Sequence, residues 1–483
     1  MMKNILFDQA RSTTLHYLDR LPSFINPHTT RNLAAILSLI LLFSAYYLLP
    51  GLKVFGLDEV HYYPSLKFKL VEEGRWINFM LHHWLRQMPL VTYSLLFLFC
   101  SWVILFRIAS NFSQDSRYAV IIASVLLMAP SFVHQSLWPA THFPTVITLL
   151  ILTWLAERGV SHRVIYLLGG ILLFGMMQNY YFILPLLFLR RLASENQDIG
   201  KIGTYLFSHF FYWILGSIVG FVLALVAIFI ITGQVGIAPA EWRQAMPVQD
   251  FQGLIRNVFF VIQCLKAEVL LLLMDGTNNN PVYLLGLMLL LAFRFQFWRS
   301  GLPKVIILLA VSISFFVFSI PLAAAIATRS LVALSSAMII LLLVSSQLRH
   351  RTYWLSVFLL LWMGSNFSIN AHSYLNAHKT ETEFILQKIV NVLPQHPSNY
   401  NALAIFGKVD EKYKEAKLFN DGPFTRPIVL AAGFDSFWEC RMSVPKECDA
   451  LGEKLNISSI TANKAVKFVG ISEGIAVILL GSE

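Results

Sequence analysis

The sequence predicts a polytopic α-helical membrane protein of about eleven transmembrane helices with a C-terminal soluble α/β domain. Three observations predict it: an apolar composition, a series of apolar runs separated by basic loops, and a change of composition at Ala371. Of 483 residues, 56% are hydrophobic and only 13% charged, where soluble chains carry roughly a quarter charged residues. So much apolar surface, including 38 Phe, exceeds what one water-soluble core could bury and must face lipid or other helices. The 37 Lys and Arg that give a net charge of +10 are spread along the edges of the apolar runs. They orient a membrane chain and form no basic face for nucleic acid. Four Cys without a CxxC pair exclude a disulfide-dense scaffold.

The first run, Leu33 to Pro50, is about 18 residues long and crosses most of a ~30 Å hydrocarbon core. Lys3, Arg11, Arg20 and Arg31 precede it without an apolar signal region, so it is expected to stay as an anchor with a cytoplasmic N-terminus. Gly51 to Met88 then forms an outside loop. Spans follow at Pro89 to Phe106, Tyr118 to Trp138 and His142 to Ala156, with basic loops inside and Ser136 to Phe143 outside. Val164 to Leu189 reads as one tilted span or as two short ones folded back at Gln178, Asn179 and Tyr180. The hairpin is preferred because it puts Arg190, Arg191, Lys201, Arg294, Arg299, Lys304, Arg349 and Arg351 inside. Only Arg243, Arg256, Lys266 and Arg329 then remain outside in this stretch. Thr204 to Ile231 is the longest span and leads into an outside segment, 232–280, whose stretch from Val258 to Met274 reads as interfacial. Spans at Pro281 to Trp298, Lys304 to Ala327, Leu331 to Ser346 and Tyr353 to Asn370 complete a membrane domain over 1–370. The odd count places the soluble domain, 371–483, outside.

Chemistry concentrates in the first outside loop, Phe55-Gly56-Leu57-Asp58-Glu59-Val60-His61-Tyr62-Tyr63-Pro64, followed by Glu72-Glu73-Gly74-Arg75-Trp76. Two adjacent carboxylates just beyond the lipid can be plain solvated charges. Their apolar and aromatic flanks can instead wall a pocket where one carboxylate works as a general base beside a lipid headgroup. Trp76, Ile77, Met80, Leu81, Trp84, Leu85 and Met88 recur with a four-residue period opposite Asn78, His82, Arg86 and Gln87. They predict an amphipathic interfacial helix that either anchors the loop or forms the lip of a lipid groove.

A short cytoplasmic N-terminus, one span and then Asp58-Glu59-Val60-His61 resembles the GT-C superfamily of polyprenyl-phosphate-dependent glycosyltransferases. The stretch is similar to the acidic motif of protein O-mannosyltransferases and lipid A aminoarabinose transferases. Span count, Gly74-Arg75-Trp76 and the outside C-terminal domain look more like the serotype-converting O-antigen glucosyltransferases of the GtrII type. The resemblance implies an inner-membrane enzyme that moves a sugar, glucosyl in that family, from undecaprenyl phosphate to a hydroxyl of lipid-linked O-antigen at the periplasmic face, with inversion. On this reading Asp58 is the general base and Glu59 holds the acceptor or supports Asp58. Arg329, Arg75, Lys266 and Arg256, with His61 and Tyr62, are the candidates for binding substrate and the departing phosphate. Arg329 leads because it follows Ala323-Ala324-Ala325, a small-residue apolar setting where a lone cation is costly, although an end-of-span Arg also snorkels.

Other features weigh less. His134 and His142 bracket Trp138-Pro139 but lack a nearby carboxylate, so no metal site is assigned; no cofactor is identified, and room is left for a divalent cation. Gly169-Gly170 with Gly175 sits in an apolar run and reads as helix packing, not a phosphate loop. Cys440 and Cys448 share the C-terminal domain and pair if that domain is outside. Partners are the lipid-linked donor, the lipid-linked acceptor and membrane lipid. Transfer to lipid A or protein, or a transporter or polymerase of lipid-linked saccharide, are the alternatives. A transporter would want charges near the bilayer midplane, and the spans offer no convincing pair.

Overall fold

The computed structural model describes residues 66–112, 116–188, 199–238, 246–274, 295–321, 323, 330–346, 350–407, 429–430, 432–438, 440, 447–460 and 466–481. These are mostly helical. Among them, Val91–Ser110, Pro139–Glu157 and Gly203–Thr232 are long and apolar enough to cross a membrane, accompanied by five shorter apolar helices. The chain is therefore compatible with a membrane protein. The expected first span, 33–50, lies outside the described residues.

Two short helices open the described chain, α1 (Lys67–Glu73) and α2 (Trp76–Leu85). Next come α3 (Leu90–Ser110), α4 (Ser116–Leu127), α5 (Pro130–Gln135) and α6 (Pro139–Glu157). The single span expected over Tyr118 to Trp138 is thus two helices. Pro130 is the first residue of α5 and holds Ala129 extended, at ψ 142°, because the proline ring crowds a helical predecessor.

The run Val164 to Leu189 is broken as well. Helix α7 (His162–Phe174) ends before a 3₁₀ segment, Gln178–Phe188, that runs back along it. Phe174 packs at 5.3 Å on Tyr181, and at the other end Phe188 lies 5.6 Å from Tyr166. Helix α8 (Ile199–Thr232) follows. It meets α7 at backbone distance: a Cβ placed on Gly170 would fall 2.0 Å from the Gly216 carbonyl oxygen, and one on Gly220 would fall 2.2 Å from that of Gly170. Small residues allow this approach where dispersion must replace the hydrophobic drive. The outer side of α8 leaves Phe207, Phe211, Ile218 and Phe229 exposed, as a lipid-facing stripe would be.

Helix α9 (Phe251–Met274) covers the stretch expected at the interface. Its Val261 packs with Phe316 of α10 (Phe295–Ser319) and Leu334 of α11 (Val332–Ser346), while Phe251, Phe259 and Ile262 face outward. The same outer side carries exposed Gln252, Arg256, Gln263 and Lys266, so the helix packs along one side and is mixed in character on the other. Residues 275–294 of the expected span Pro281 to Trp298 lie outside the described residues. The expected basic loop from Arg299 to Pro303 lies inside α10. A charge that marks a hydropathy boundary does not by itself end a helix; here the helix runs on although Gly301 and Pro303 are poor helix-interior residues.

The last helix, α12, spans His350–Val392. Its 43 residues reach about 65 Å at ~1.5 Å per residue, roughly twice a hydrocarbon core. The domain boundary expected at Ala371 therefore falls inside one continuous helix. No Gly or Pro interrupts the chain between Ser365 and Leu393, and Pro394 follows the helix end. A four-stranded sheet follows, in the order β2-β1-β4-β3, from β1 (Ala402–Phe406), β2 (Phe437–Trp438), β3 (Val466–Ser472) and β4 (Ile475–Leu480). Strand β1 pairs parallel with β2 and β4, and β3 with β4 antiparallel. Both faces of β1 and β4 are covered, as parallel pairing requires. Ala402, Ala404 and Val477 meet helix α13 (Glu447–Lys454), whereas Leu403, Ile405 and Ile478 meet Ile385 and Ile389 of α12. Cys440 and Cys448 form a disulfide in the first of these layers. Leu137 and Trp138, in the turn between α5 and α6, belong to the second layer, so the sheet is seated on that corner of the bundle.

Candidate functional site

One end of the bundle gathers the residues with chemistry. Three hydrogen bonds stitch α1 and α2 to it: Ile77 N–H to the Gly175 carbonyl at 2.8 Å, Ala238 N–H to the Val71 carbonyl at 3.1 Å, and Asn78 Nδ2 to the Thr141 carbonyl at 3.1 Å. The turn after α7, the exit from α8 and the start of α6 therefore meet there. At the opposite end, Arg107 pairs with Glu157, Asn111 donates to the Leu186 and Leu187 carbonyls, and His162 stacks on His209 at 3.9 Å.

Helix α2 buries both kinds of side chain. Asn78, His82 and Leu85 are buried, the last in an apolar cluster with Leu66, Tyr93 and Ala140, whereas Met80 and Trp84 are 64% and 67% exposed and His83, Arg86 and Gln87 are exposed beside them. Exposed Met80 and Trp84 next to exposed polar residues suit a helix at a lipid boundary.

A buried charged cluster lies directly before α2. Lys69, Glu73 and Arg75 are 4%, 7% and 6% exposed. Lys69 Nζ sits 3.1 Å from Glu73 Oε1, one helical turn away, and Arg75 Nη2 pairs with Glu73 Oε2. Gly74, at φ +70°, makes the turn that returns Arg75 to the carboxylate two residues before it. This left-handed backbone suits glycine, and a Cβ there would meet Ala224 of α8 at 3.0 Å. The Glu73 carbonyl accepts a hydrogen bond from Gln178 Nε2, which ties the cluster to the α7 turn. Buried charges cost several kcal/mol each unless paired and hydrogen-bonded, so this group is held by close geometry.

A second polar group stands nearby along α5, α6 and the 3₁₀ segment. Tyr180 donates to Gln135 Oε1, the His142 ring lies 5.8 Å from the Tyr180 ring, and that of His134 5.1 Å from Trp138. Among the described residues no group of three or more His, Cys, Asp or Glu could hold a metal ion.

Of the residues singled out in sequence, Asp58, Glu59, His61, Tyr62 and Arg329 lie outside the described residues. Arg75 lies in the buried cluster. Arg256 and Lys266 do not join it; both are exposed on α9, which packs on α10. Sequence reasoning gave Lys69, Glu73 and Gln178 no role at the site, although Glu73 stood in the quoted loop and Gln178 at the expected fold-back. The signal for the first two was their four-residue spacing on one short helix, and for Gln178 an amide in an otherwise apolar run. Comparison with protein-family models, curated proteins and solved structures returned no match.

Proposed function

We propose that the chain is an inner-membrane GT-C-type glycosyltransferase of about eleven spans. On this reading it moves a sugar, glucosyl on the strength of the resemblance, from undecaprenyl phosphate to a hydroxyl of lipid-linked O-antigen at the periplasmic face. The N-terminus is cytoplasmic and the sheet domain periplasmic. The observation that carries the proposal is the buried Lys69–Glu73–Arg75 cluster, which begins ten residues after Glu59 in the sequence, at the end of the bundle that carries α1 and α2.

In the reaction Asp58 accepts the proton of the acceptor hydroxyl as its oxygen attacks the anomeric carbon from the face opposite the phosphate. The bond from that carbon to the phosphate oxygen breaks, and the electron pair leaves on polyprenyl phosphate. Negative charge grows on the leaving group, so fixed cations lower the barrier most when they are already in place. Arg75 is such a cation, and Arg329 a second candidate. Glu59 holds the acceptor. The exposed Met80 and Trp84 of α2 and the apolar outer face of α8 suit a long prenyl chain arriving through lipid.

The test is to give membranes containing the full chain a radiolabelled polyprenyl-phosphate sugar with candidate acceptors. Label should pass to lipid-linked O-antigen. Label recovered in lipid A or protein would change the acceptor. Saccharide crossing the membrane without a new glycosidic bond would replace the enzyme by a transporter.

A further inference from the structure

The elbow between α2 and α3 presents a cation from a fixed backbone. Arg86 follows α2 in the right-handed helical conformation, its N–H bonded to the His82 carbonyl at 3.2 Å, and the Gln87 N–H bonds to that of Trp84 at 3.1 Å. Pro89 then opens α3, and its carbonyl accepts from the Thr92 and Tyr93 N–H groups. Leu85 shares an apolar cluster with Tyr93, so the end of α2 is pinned beside the first turn of α3. Arg86 therefore stands at the entry of the apolar stretch Val91–Ser110. When α3 crosses a bilayer, that is the depth of the phospholipid headgroups.

The surroundings suit that depth. Met80, His83 and Trp84 share one face of α2, and all three are exposed, as are Arg86 and Gln87. On α3, Val91, Leu95 and Phe99 are exposed at a four-residue spacing. An exposed Trp next to such a stripe belongs at the boundary between headgroups and acyl chains. Gln87 Nε2 lies 3.3 Å from His83 Nε2, and the Arg86 guanidinium is outside that pair. Among the described residues no carboxylate pairs with Arg86, and no Asp or Glu occurs in sequence between Glu73 and Asp115. A guanidinium at this depth without a protein counter-ion is matched by a headgroup phosphate, onto which it can fork with two hydrogen bonds.

We propose that this elbow docks an anionic phospholipid of the bilayer, of the phosphatidylglycerol class, with Arg86 on the phosphate and Trp84 beside the glycerol and upper acyl chain. A zwitterionic headgroup fits less well, because its own ammonium opposes the guanidinium. The inference goes beyond the reaction proposed above and does not rest on it.

The experiment places the full chain in vesicles that contain acyl-brominated phosphatidylglycerol or, separately, acyl-brominated phosphatidylcholine at equal mole fraction. The quenching due to Trp84 is obtained by subtracting that of Trp84→Phe. Wild type should favour the anionic lipid about five- to tenfold, because one cation near an anionic surface contributes about fivefold and the fork adds to it. Arg86→Gln should lose this preference, Arg86→Lys should fall between the two, and salt raised to about 1 M should weaken it. Arg158→Gln, at the other end of the bundle, should leave it unchanged. If Trp84→Phe fails to fold, a bimane on Met80→Cys, with Cys100 and Cys264 replaced, gives the same reading. Equal quenching by both lipids in wild type overturns the inference, as does a preference that survives Arg86→Gln or is lost equally in Arg158→Gln. Displacement by millimolar inorganic phosphate, or by undecaprenyl phosphate at about one-tenth of the phosphatidylglycerol mole fraction, also overturns it, since the site would then not belong to bulk lipid.

Discussion

Replacing Gly170 by Ala tests whether α7 and α8 depend on backbone contact. Alanine normally gains about 1 kcal/mol over glycine inside a helix, so propensity alone predicts a more stable protein. Geometry opposes it. The new Cβ would lie 2.0 Å from the Gly216 carbonyl oxygen and 2.9 Å from its Cα, both rigid backbone atoms, where ordinary contact begins near 3.4 Å. The helices must move apart by more than ~1 Å, and the Tyr181 and Leu184 side chains packed beside Gly169 move with them. Overpacking of this kind costs about 1–3 kcal/mol. With no flexible side chain to yield, the upper end applies, and a net loss of about 2 kcal/mol remains after the propensity gain. Gly203→Ala, on α8 with nothing within 4 Å, isolates the propensity term. Thermal unfolding of the purified full chain in one detergent, followed by Trp fluorescence, should rank Gly203→Ala at or above wild type and Gly170→Ala several degrees below. Gly170→Ala melting together with Gly203→Ala would refute the packing argument.

Three further outcomes follow from the structure. Asn257→Ala removes a buried amide that donates to the Met246 and Ile320 carbonyls at 2.8 and 3.0 Å. It should lower stability by about 1–3 kcal/mol in the same melt, and an unchanged midpoint would rule out that clamp. With Cys100 and Cys264 replaced, the proposed topology has Gln87→Cys and Arg158→Cys reacting on opposite sides with a membrane-impermeant maleimide, the first from the periplasm; labelling of both from one side would contradict that topology. The Cys440–Cys448 bridge closes a short loop that contributes about 2–3 kcal/mol in a chain-entropy account. Intact mass after alkylation should show two extra adducts only when reductant is present.

Apolar runs and basic loops made the helical, membrane-compatible character legible, because lipid rewards a local property that each window of sequence carries by itself. Breaks were legible where a residue forces them. Gln178 and Asn179 marked the reversal after α7, whereas Pro130 passed unnoticed inside a continuous apolar run. The α10 and α12 boundaries failed for other reasons: α10 runs on through Gly301 and Pro303, which are poor helix residues, and Ala371 lies in a stretch with no helix breaker. At the site, the period of α2 was visible but not which side faces in. That depends on partners far along the chain, Thr141 and Gly175. The Lys69–Glu73–Arg75 cluster was hidden similarly, since its burial comes from Gln178 and α8 rather than from its neighbours in sequence.

The central claim is that sugar transfer from a polyprenyl phosphate occurs at the end of the bundle that carries α1 and α2, with Asp58 as base. The most direct measurement compares transfer of labelled sugar by wild type, Asp58→Asn and Glu59→Gln in membranes with matched protein levels. Loss of a general base costs about 10²- to 10⁴-fold, so Asp58→Asn should fall at least a hundredfold and Glu59→Gln less. Asp58→Asn turning over above about a tenth of wild type while Glu59→Gln is inactive would exchange the two roles. Both variants remaining active would place the chemistry elsewhere and contradict the account.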